Sequence, residues 1–241
     1  MRLFGGGSSA LRRCVLLTAG LLVAGASVDL APAFAAKIAD WEMNESSGAT
    51  TMHDSSGSDL NGTIGSAIET GVVVSGDNRA YRWPSENRSG VRPERLIKVD
   101  SSRLNPGTAD FVVIVRFYTG SFGDENIIQK GQALTAGGMW KIVLFDGKVR
   151  CNFKGSVHRS AVESREIVAD NTWHKVRCER RTTGVTIILD GGTPRTNPRW
   201  TGKIANTWPL SIGGKRQCNP PNVGCDYFVG RLDRVVVKRP R

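Results

Sequence analysis

The residues whose types could support catalysis are few, and their spacing fits no familiar reaction centre. Glu163 and Glu166 come nearest to a paired-carboxylate arrangement. Such a pair hydrolyses glycosides only when both groups lie on one face at a set separation, and these two occur in a polar stretch without strand alternation. The chain has three histidines, His53, His158 and His174, and no Gly-x-Ser-x-Gly sequence that would present a nucleophilic serine. The residues therefore favour binding over catalysis, although they leave an enzyme possible.

The segment from Asp54 to Asn61 is the best candidate for a metal site. Oxygen-bearing side chains occur at Asp54, Ser55, Asp59 and Asn61, and glycines between them let the backbone turn. A hard cation such as calcium takes about six to eight oxygen ligands. The same composition also forms ordinary solvated turns, because Asp and Ser side chains hydrogen-bond to the nearby backbone. Both interpretations stay open at this point.

Four cysteines follow the N-terminal segment: Cys151, Cys178, Cys218 and Cys225. An even number of cysteines in an exported chain predicts disulfides. We favour Cys151 with Cys178, since each lies within a predicted strand, and Cys218 with Cys225, which closes a short loop. A zinc site is less favoured, because the sequence contains no Cys-x-x-Cys pair.

Residues 1–36 have the composition of a secretion signal. Three arginines precede an apolar run over 14–26, and Ala33-Phe34-Ala35 has the small-x-small pattern of a cleavage site. We expect cleavage before Ala36 or Lys37, which leaves 37–241 as a secreted domain. The apolar run is shorter than a bilayer span, so we expect no membrane span after cleavage.

The remaining chain suits one all-β domain. Removal of residues 1–36 takes away three arginines and one aspartate, which lowers the formal net charge from +11 to +9. The basic residues are spread along the sequence, as is typical of a solvated surface. Export also argues against a nucleic-acid partner, and we expect a monomer.

Short strands and turns account for most of the pattern after residue 36. Alternation is clearest over 110–119, where Phe111, Val113, Val115 and Phe117 share a face. Residues 138–153 read as a hairpin around Asp146-Gly147. Residues 155–171 are polar and read as a loop or an irregular strand. Because no helix of useful length is indicated, the sequence predicts a two-sheet sandwich.

A pair of strands separated by a short turn occupies residues 170–192. On the first of them, Trp173 and Lys175 point to one face, while His174 and Cys178 point to the other. We expect Trp173 to fill the core against Ile187, because a tryptophan ring has a large apolar area to bury. We expect His174 to be structural. We also expect Trp41, Trp83 and Trp140 to be buried in the core. Of Trp200 and Trp208, we expect one to be exposed.

The stretch Asn171-x-Trp173-His174-x-Val176, followed by Val185-x-Ile187-x-x-Asp190-Gly191, resembles the centre of laminin G-like domains. These domains belong to the concanavalin A-like jelly-roll class. Four further segments resemble that family's opening and closing strands in the right order: 41–48, 54–63, 209–214 and 228–237. The resemblance covers roughly 38–238. It implies an all-β jelly-roll sandwich of two antiparallel sheets.

The resemblance also implies a function and a metal site. Members of the class commonly hold one calcium between an early loop and a late strand, which makes Asp54, Asn61 and Asp233 candidate ligands. The implied function is that of a non-catalytic module that binds a carbohydrate or another extracellular polymer. Two alternatives stay open: a polysaccharide lyase or glycoside hydrolase of the same fold, and a structural or adhesive surface protein. The enzyme would need carboxylate, His, Tyr or Arg side chains converging on one sheet, and this chain lacks the Gln-x-His strand of the alginate-lyase relatives.

Overall fold

The computed structural model describes residues 36–85, 90–218 and 224–239. The predicted secretion signal therefore lies outside the described residues except for Ala36. The described chain folds into two eight-stranded antiparallel sheets that enclose a shared apolar core. This architecture confirms the predicted all-β jelly-roll sandwich. No helix of the described chain is long and apolar enough to cross a membrane.

One of the two sheets, sheet A, contains the first and last strands of the described chain. Its strands are β1 (Ala36–Trp41), β4 (Glu69–Ser75), β5 (Asn78–Arg82), β7 (Phe111–Thr119), β12 (Thr172–Arg181), β13 (Gly184–Leu189), β14 (Arg195–Asn197) and β16 (Arg231–Arg239). They pair in the order β14-β13-β12-β7-β16-β5-β4, and β1 also pairs with β16.

The other sheet, sheet B, packs against it. Its strands are β2 (Thr51–Met52), β3 (Gly62–Ile64), β6 (Ile97–Val99), β8 (Glu125–Lys130), β9 (Met139–Phe145), β10 (Lys148–Lys154), β11 (Arg159–Glu163) and β15 (Leu210–Ile212). They pair in the order β11-β10-β9-β8-β15-β6-β3-β2. The helical segments of the described residues are two single 3-10 turns, Pro93–Arg95 and Ser102–Leu104.

The core lies between the inner faces of the two sheets. The predicted apolar face of β7 is fully buried there, from Phe111 to Phe117. The rings of Trp41, Trp83 and Trp140 are also buried, as predicted. Each of these rings donates its indole N–H to a backbone carbonyl, for example Trp140 Nε1 to the oxygen of Leu104 at 3.0 Å. Because the polar N–H group is satisfied, the whole ring contributes to hydrophobic burial.

The turns that join neighbouring strands follow local sequence signals. Asp146 and Gly147 have φ values of 49° and 71°, so the predicted hairpin between β9 and β10 is confirmed. Asp190 and Gly191, with φ values of 50° and 75°, begin the connection from β13 to β14. The polar stretch 155–171 contains β11, which is the edge strand of sheet B.

Both predicted disulfides are present. Cys151 on β10 pairs with Cys178 on β12, with a Cα–Cα distance of 5.7 Å and both residues fully buried. Since β10 belongs to sheet B and β12 to sheet A, this bond crosses the sandwich rather than joining two paired strands. Cys218 pairs with Cys225, and residues 219–223 of the enclosed loop lie outside the described residues.

Candidate functional site

Trp173 lies on the outer face of sheet A, which is the face that points away from sheet B. The strand β12 alternates, so Val176 and Cys178 are buried in the core while Trp173 and Lys175 face outward. The expectation that Trp173 packs in the core against Ile187 is therefore wrong. Ile187 is the cross-strand partner of Cys178 and belongs to the inner face. The size of a tryptophan ring favours burial, but the alternation of the strand decides its direction.

Two aromatic rings lie side by side on this outer face. Trp173 on β12 is directly opposite Tyr118 on β7, and their ring centroids are 5.7 Å apart at an interplanar angle of 60°. The guanidinium of Arg116 lies 4.5 Å from the Trp173 ring centroid, and that of Arg231 lies 5.2 Å from the Tyr118 centroid. Both contacts have the geometry of cation–π interactions. The two rings are thus partly exposed and held in place by their neighbours.

Three cations occupy the next cross-strand row, which we call the cation row: Lys175 on β12, Arg116 on β7 and Arg234 on β16. In β16 the side chains of Leu232 and Val235 both point into the core. Two residues, Asp233 and Arg234, lie between them where regular alternation would allow only one, because the pairing with β7 shifts its register after Leu232. This bulge brings the Asp233 carboxylate against the guanidinium of Arg116. The result is a dense group of charges beside the two aromatic rings.

Two pockets open on the same face of sheet A. The first, of about 330 Å³, is lined among others by Arg82, Tyr118, Ser121, Asn171, Gly230 and Arg231. The second, of about 350 Å³, is lined among others by Asn44, Asn78, Ile114, Arg116, Lys175 and Asp233. Trp173 contacts a residue of each pocket, Tyr118 in the first and Arg116 in the second. The pockets and the rings therefore form one extended surface.

A buried carboxyl group supports the first pocket. Glu125 is fully buried, and it accepts hydrogen bonds from the Val229 backbone N–H at 2.9 Å and from the Ser121 hydroxyl. Burial raises the pKa of Glu125 despite these hydrogen bonds. At Gly230, φ is 147° and a Cβ atom would lie 2.2 Å from the backbone oxygen of Tyr118. Only glycine fits this position, because a side chain would collide with the backbone of Tyr118. Gly230 therefore allows the chain to pass close to β7 beside the pocket.

The sequence-predicted calcium ligands are only partly brought together. The backbone N–H of Asp54 donates to Asn61 Oδ1 at 2.9 Å, so these two residues share one turn. Asp233 lies on β16 and pairs with Arg116. In the described part of the chain, no contact joins Asp233 to either residue of the turn, and no three His, Cys, Asp or Glu side chains form a metal-holding group.

The carboxylate of Asp54 is also already engaged. It accepts backbone hydrogen bonds from Asp40 at 2.9 Å, Ser56 at 2.9 Å and Leu60 at 3.0 Å. Burial opposes ionisation, but these hydrogen bonds outweigh it and lower the pKa of Asp54. As placed, these oxygens do not fit a calcium ion, because they already accept hydrogen bonds from backbone N–H groups around the turn. The calcium site stays a prediction that needs a direct test.

The candidate catalytic side chains do not converge. Glu163 accepts hydrogen bonds from Arg150 Nε at 3.0 Å and Nη2 at 2.5 Å, and Glu166 is exposed in the loop that follows β11. His174 Nδ1 lies 2.7 Å from Asp190 Oδ2, and its Nε2 lies 3.1 Å from Asp170 Oδ1. These contacts tie the turn at 170–172 to the end of β13, which agrees with a structural role for His174.

Sequence reasoning did not find the surface formed by the rings and the cation row. The alternation over 110–119 puts Arg116 and Tyr118 on the face opposite Phe117, and alternation over 173–178 puts Trp173 and Lys175 on one face. The missing information was that β12, β7 and β16 are neighbours. Strand alternation alone cannot supply such pairings between segments distant in sequence.

Comparisons with known proteins identify the fold. Residues 126–239 match the family model of the laminin G domain. A search of curated protein sequences finds no match. Among solved structures, domain 4 of AbnA, an extracellular arabinanase from Geobacillus stearothermophilus solved with arabinotriose, aligns with a TM-score of 0.56 at 15% identity. That alignment covers 86% of this chain and 93% of the arabinanase domain.

Toxin binding domains also share the fold. The binding domain of Paraclostridial Mosquitocidal Protein 1 aligns with a TM-score of 0.55 at 12% identity, over 84% of this chain and 47% of that domain. The binding domain of botulinum neurotoxin serotype D aligns with a TM-score of 0.52 at 12% identity, over 85% and 46%. This chain therefore spans about half the length of the toxin domains that it matches. At these identities the likeness concerns the fold alone.

Proposed function

Because this chain carries a laminin G-like jelly roll, we propose that it is a secreted, non-catalytic module that binds a carbohydrate polymer through the outer face of sheet A. The observation that carries the proposal is the outward pair Trp173 and Tyr118. Aromatic rings that are partly exposed on a sheet provide flat apolar surfaces, and the polar groups beside them can hydrogen-bond a ligand.

The surroundings of the two rings support this proposal. A pocket adjoins each side of the pair, and polar side chains such as Ser121 and Asn78 line the pockets. In the arabinanase domain with the same fold, the solved ligand is an oligosaccharide. Secretion is part of the proposal, since two disulfides persist only in an oxidising compartment and residues 1–36 have the composition of a signal.

Replacement of Trp173 by alanine tests the proposed function. Binding of soluble polysaccharides to the exported protein would be measured by affinity electrophoresis and by calorimetry. We expect Trp173→Ala to weaken binding at least about tenfold, which corresponds to about 1.4 kcal/mol. The variant should remain folded, because loss of a partly exposed ring contact lowers the free energy of unfolding by only about 1–2 kcal/mol.

Trp200→Ala is the matched control for this experiment. Trp200 is 38% exposed in the segment between β14 and β15, so its loss removes a surface tryptophan without touching the proposed face. Equal binding by the Trp173→Ala variant and the unmodified protein would contradict the proposal. Loss of binding in Trp200→Ala alone would move the ligand site to that segment.

A further inference from the structure

We propose that the ligand of this face is an acidic polysaccharide, whose anionic groups lie on Lys175 and Arg231. This inference rests on the proposed function, because it concerns the same surface. It starts from the cross-strand pairing of like charges. Lys175 is opposite Arg116, Arg116 is opposite Arg234, and in the neighbouring row Arg231 is opposite Arg82.

Such pairings are unfavourable for the folded protein alone. Like charges that face each other across paired strands repel and destabilise the sheet. Here five cations occupy two neighbouring rows of the outer face. Residues that reduce stability in the free protein are common at binding sites, where a ligand supplies the missing interaction. An anionic ligand would do so here.

The protein itself neutralises only part of this charge. Arg116 pairs with Asp233, Arg234 pairs with Asp40 at 2.7 Å, and Arg82 pairs with Glu69. The backbone N–H of Lys175 donates to Asp190 Oδ1 at 2.6 Å. In the part of the chain that the structure describes, however, neither the ammonium group of Lys175 nor the guanidinium of Arg231 forms an ion pair with a carboxylate. One of these two cations lines each pocket, Arg231 the first and Lys175 the second.

The two cations differ in how they can hold an anion. The guanidinium of Arg231 stacks on the Tyr118 ring, which limits its orientations. A guanidinium presents parallel N–H groups that match the two oxygens of a carboxylate or sulfate. Lys175 is exposed and offers a mobile point charge. Arg231 would therefore orient an acidic group, and Lys175 would attract a second one.

The distance between these cations indicates a polymer. Arg231 lies two strands and two residues along from Lys175, which corresponds to a backbone separation of about 12 Å. Tyr118 lies between the two cations, next to Arg231 in its row, and each cation lines one of the two pockets. One monosaccharide carries its acidic group at a single position, so it would reach only one of the two cations. A linear chain with acidic groups on successive sugars would reach both.

Matched pairs of polymers test the inference. Polygalacturonate would be compared with its neutral methyl ester, and dextran sulfate with unsubstituted dextran, so that carboxylate and sulfate are separate arms. We expect the exported protein to bind at least one acidic polymer at least tenfold more tightly than its neutral partner. The affinity for that polymer should fall as salt is raised, because exposed charges are screened.

Substitutions then assign the preference to the two cations. The double variant Lys175→Gln with Arg231→Gln should lose the preference and most of the salt dependence, while keeping its circular dichroism spectrum. Lys203→Gln is the control, because Lys203 is exposed on another segment and ion-pairs with none of the described residues. A double variant that keeps the full acidic preference would overturn the inference.

Two further outcomes separate this inference from the proposed function. If acidic and neutral polymers bind equally and Trp173→Ala abolishes both, the face is a neutral-sugar site, so the inference fails while the proposed function stands. If inorganic polyphosphate binds as tightly as the acidic sugars and Trp173→Ala has no effect, the face is a general anion surface. That second result would overturn both proposals.

Discussion

His174 is held between two carboxylates, and this arrangement sets its protonation state. Its Nδ1 faces Asp190 at 2.7 Å and its Nε2 faces Asp170 at 3.1 Å, with the Thr172 hydroxyl 3.2 Å from Nε2. Both nitrogens can donate only when the ring is protonated. Burial disfavours the charged ring, but the hydrogen bonds to Asp190 and Asp170 outweigh it and raise the pKa of His174.

This contact predicts a dependence of stability on pH. A group whose pKa is raised on folding stabilises fully below its unfolded value of about 6.5, and the contribution is lost as pH rises through the folded pKa. We therefore expect the free energy of unfolding to fall as pH rises from about 6.5 through the raised pKa of His174. Urea denaturation at several pH values measures this free energy of unfolding. His174→Gln should flatten the profile relative to His158→Gln, a control at an exposed position; parallel profiles for the two variants would refute the prediction.

Trp173 and His174 show which features of β12 can be predicted from the sequence and which cannot. Alternation correctly placed Trp173 with Lys175 and His174 with Cys178. It did not tell which of the two sets faces the core, because both contain a large ring. The buried residues Val176 and Cys178 settle this question, and the disulfide partner of Cys178 lies in the opposite sheet.

At the scale of elements, the carboxylate of Asp54 holds its turn together by accepting hydrogen bonds from three backbone N–H groups. Asp54→Asn replaces one acceptor oxygen by an amide NH2 group. Depending on its orientation, this group faces either the backbone N–H groups of Asp40 and Ser56 or the Ser56 hydroxyl and the Leu60 N–H. We expect the free energy of unfolding to fall by about 1–3 kcal/mol, because backbone amides lose their acceptor. Asp59→Asn, an exposed position in the same turn, is the matched control and should cost less.

The same pair of variants tests the calcium prediction. If the turn is held by its own hydrogen bonds, the loss in Asp54→Asn will be equal in calcium and in chelator, and the unmodified protein will melt at one temperature in both. A bound ion stabilises only the folded state by mass action. A lower melting temperature of the unmodified protein in chelator would therefore support the predicted site, with Asp233→Ala used to identify its ligands.

Elements defined by local signals could be predicted, and those defined by distant partners could not. The turn at Asp146-Gly147 follows from two residues that tolerate positive φ. The cysteine pairing followed from strand positions and loop length, but its path across the sandwich depends on which sheet each strand joins. The cation row depends on the neighbours of β7, and these are set by packing of the whole chain.

On the scale of the whole molecule, the ends of the two sheets are protected. The edge strands β2 and β14 contain two and three residues, and the pairing of β4 with β5 is interrupted by two shifts of register. The longer edge strand β11 is covered by side chains of β14. Asn197 Nδ2 donates to the oxygen of Ala161 at 3.0 Å, and Arg195 Nη1 donates to that of Glu163 at 2.5 Å. Short or covered edges resist pairing with another chain.

These covered edges predict a monomer, which light scattering coupled to size-exclusion chromatography would detect. The double variant Arg195→Ala with Asn197→Ala should self-associate as its concentration rises, because two carbonyl groups of β11 become free acceptors at a sheet edge. Thr196→Ala is the control on the same strand, since Thr196 bonds to Thr186 rather than to β11. A stable dimer of the unmodified protein would contradict the monomer prediction. A double variant that stays monomeric would show that β14 does not protect this edge.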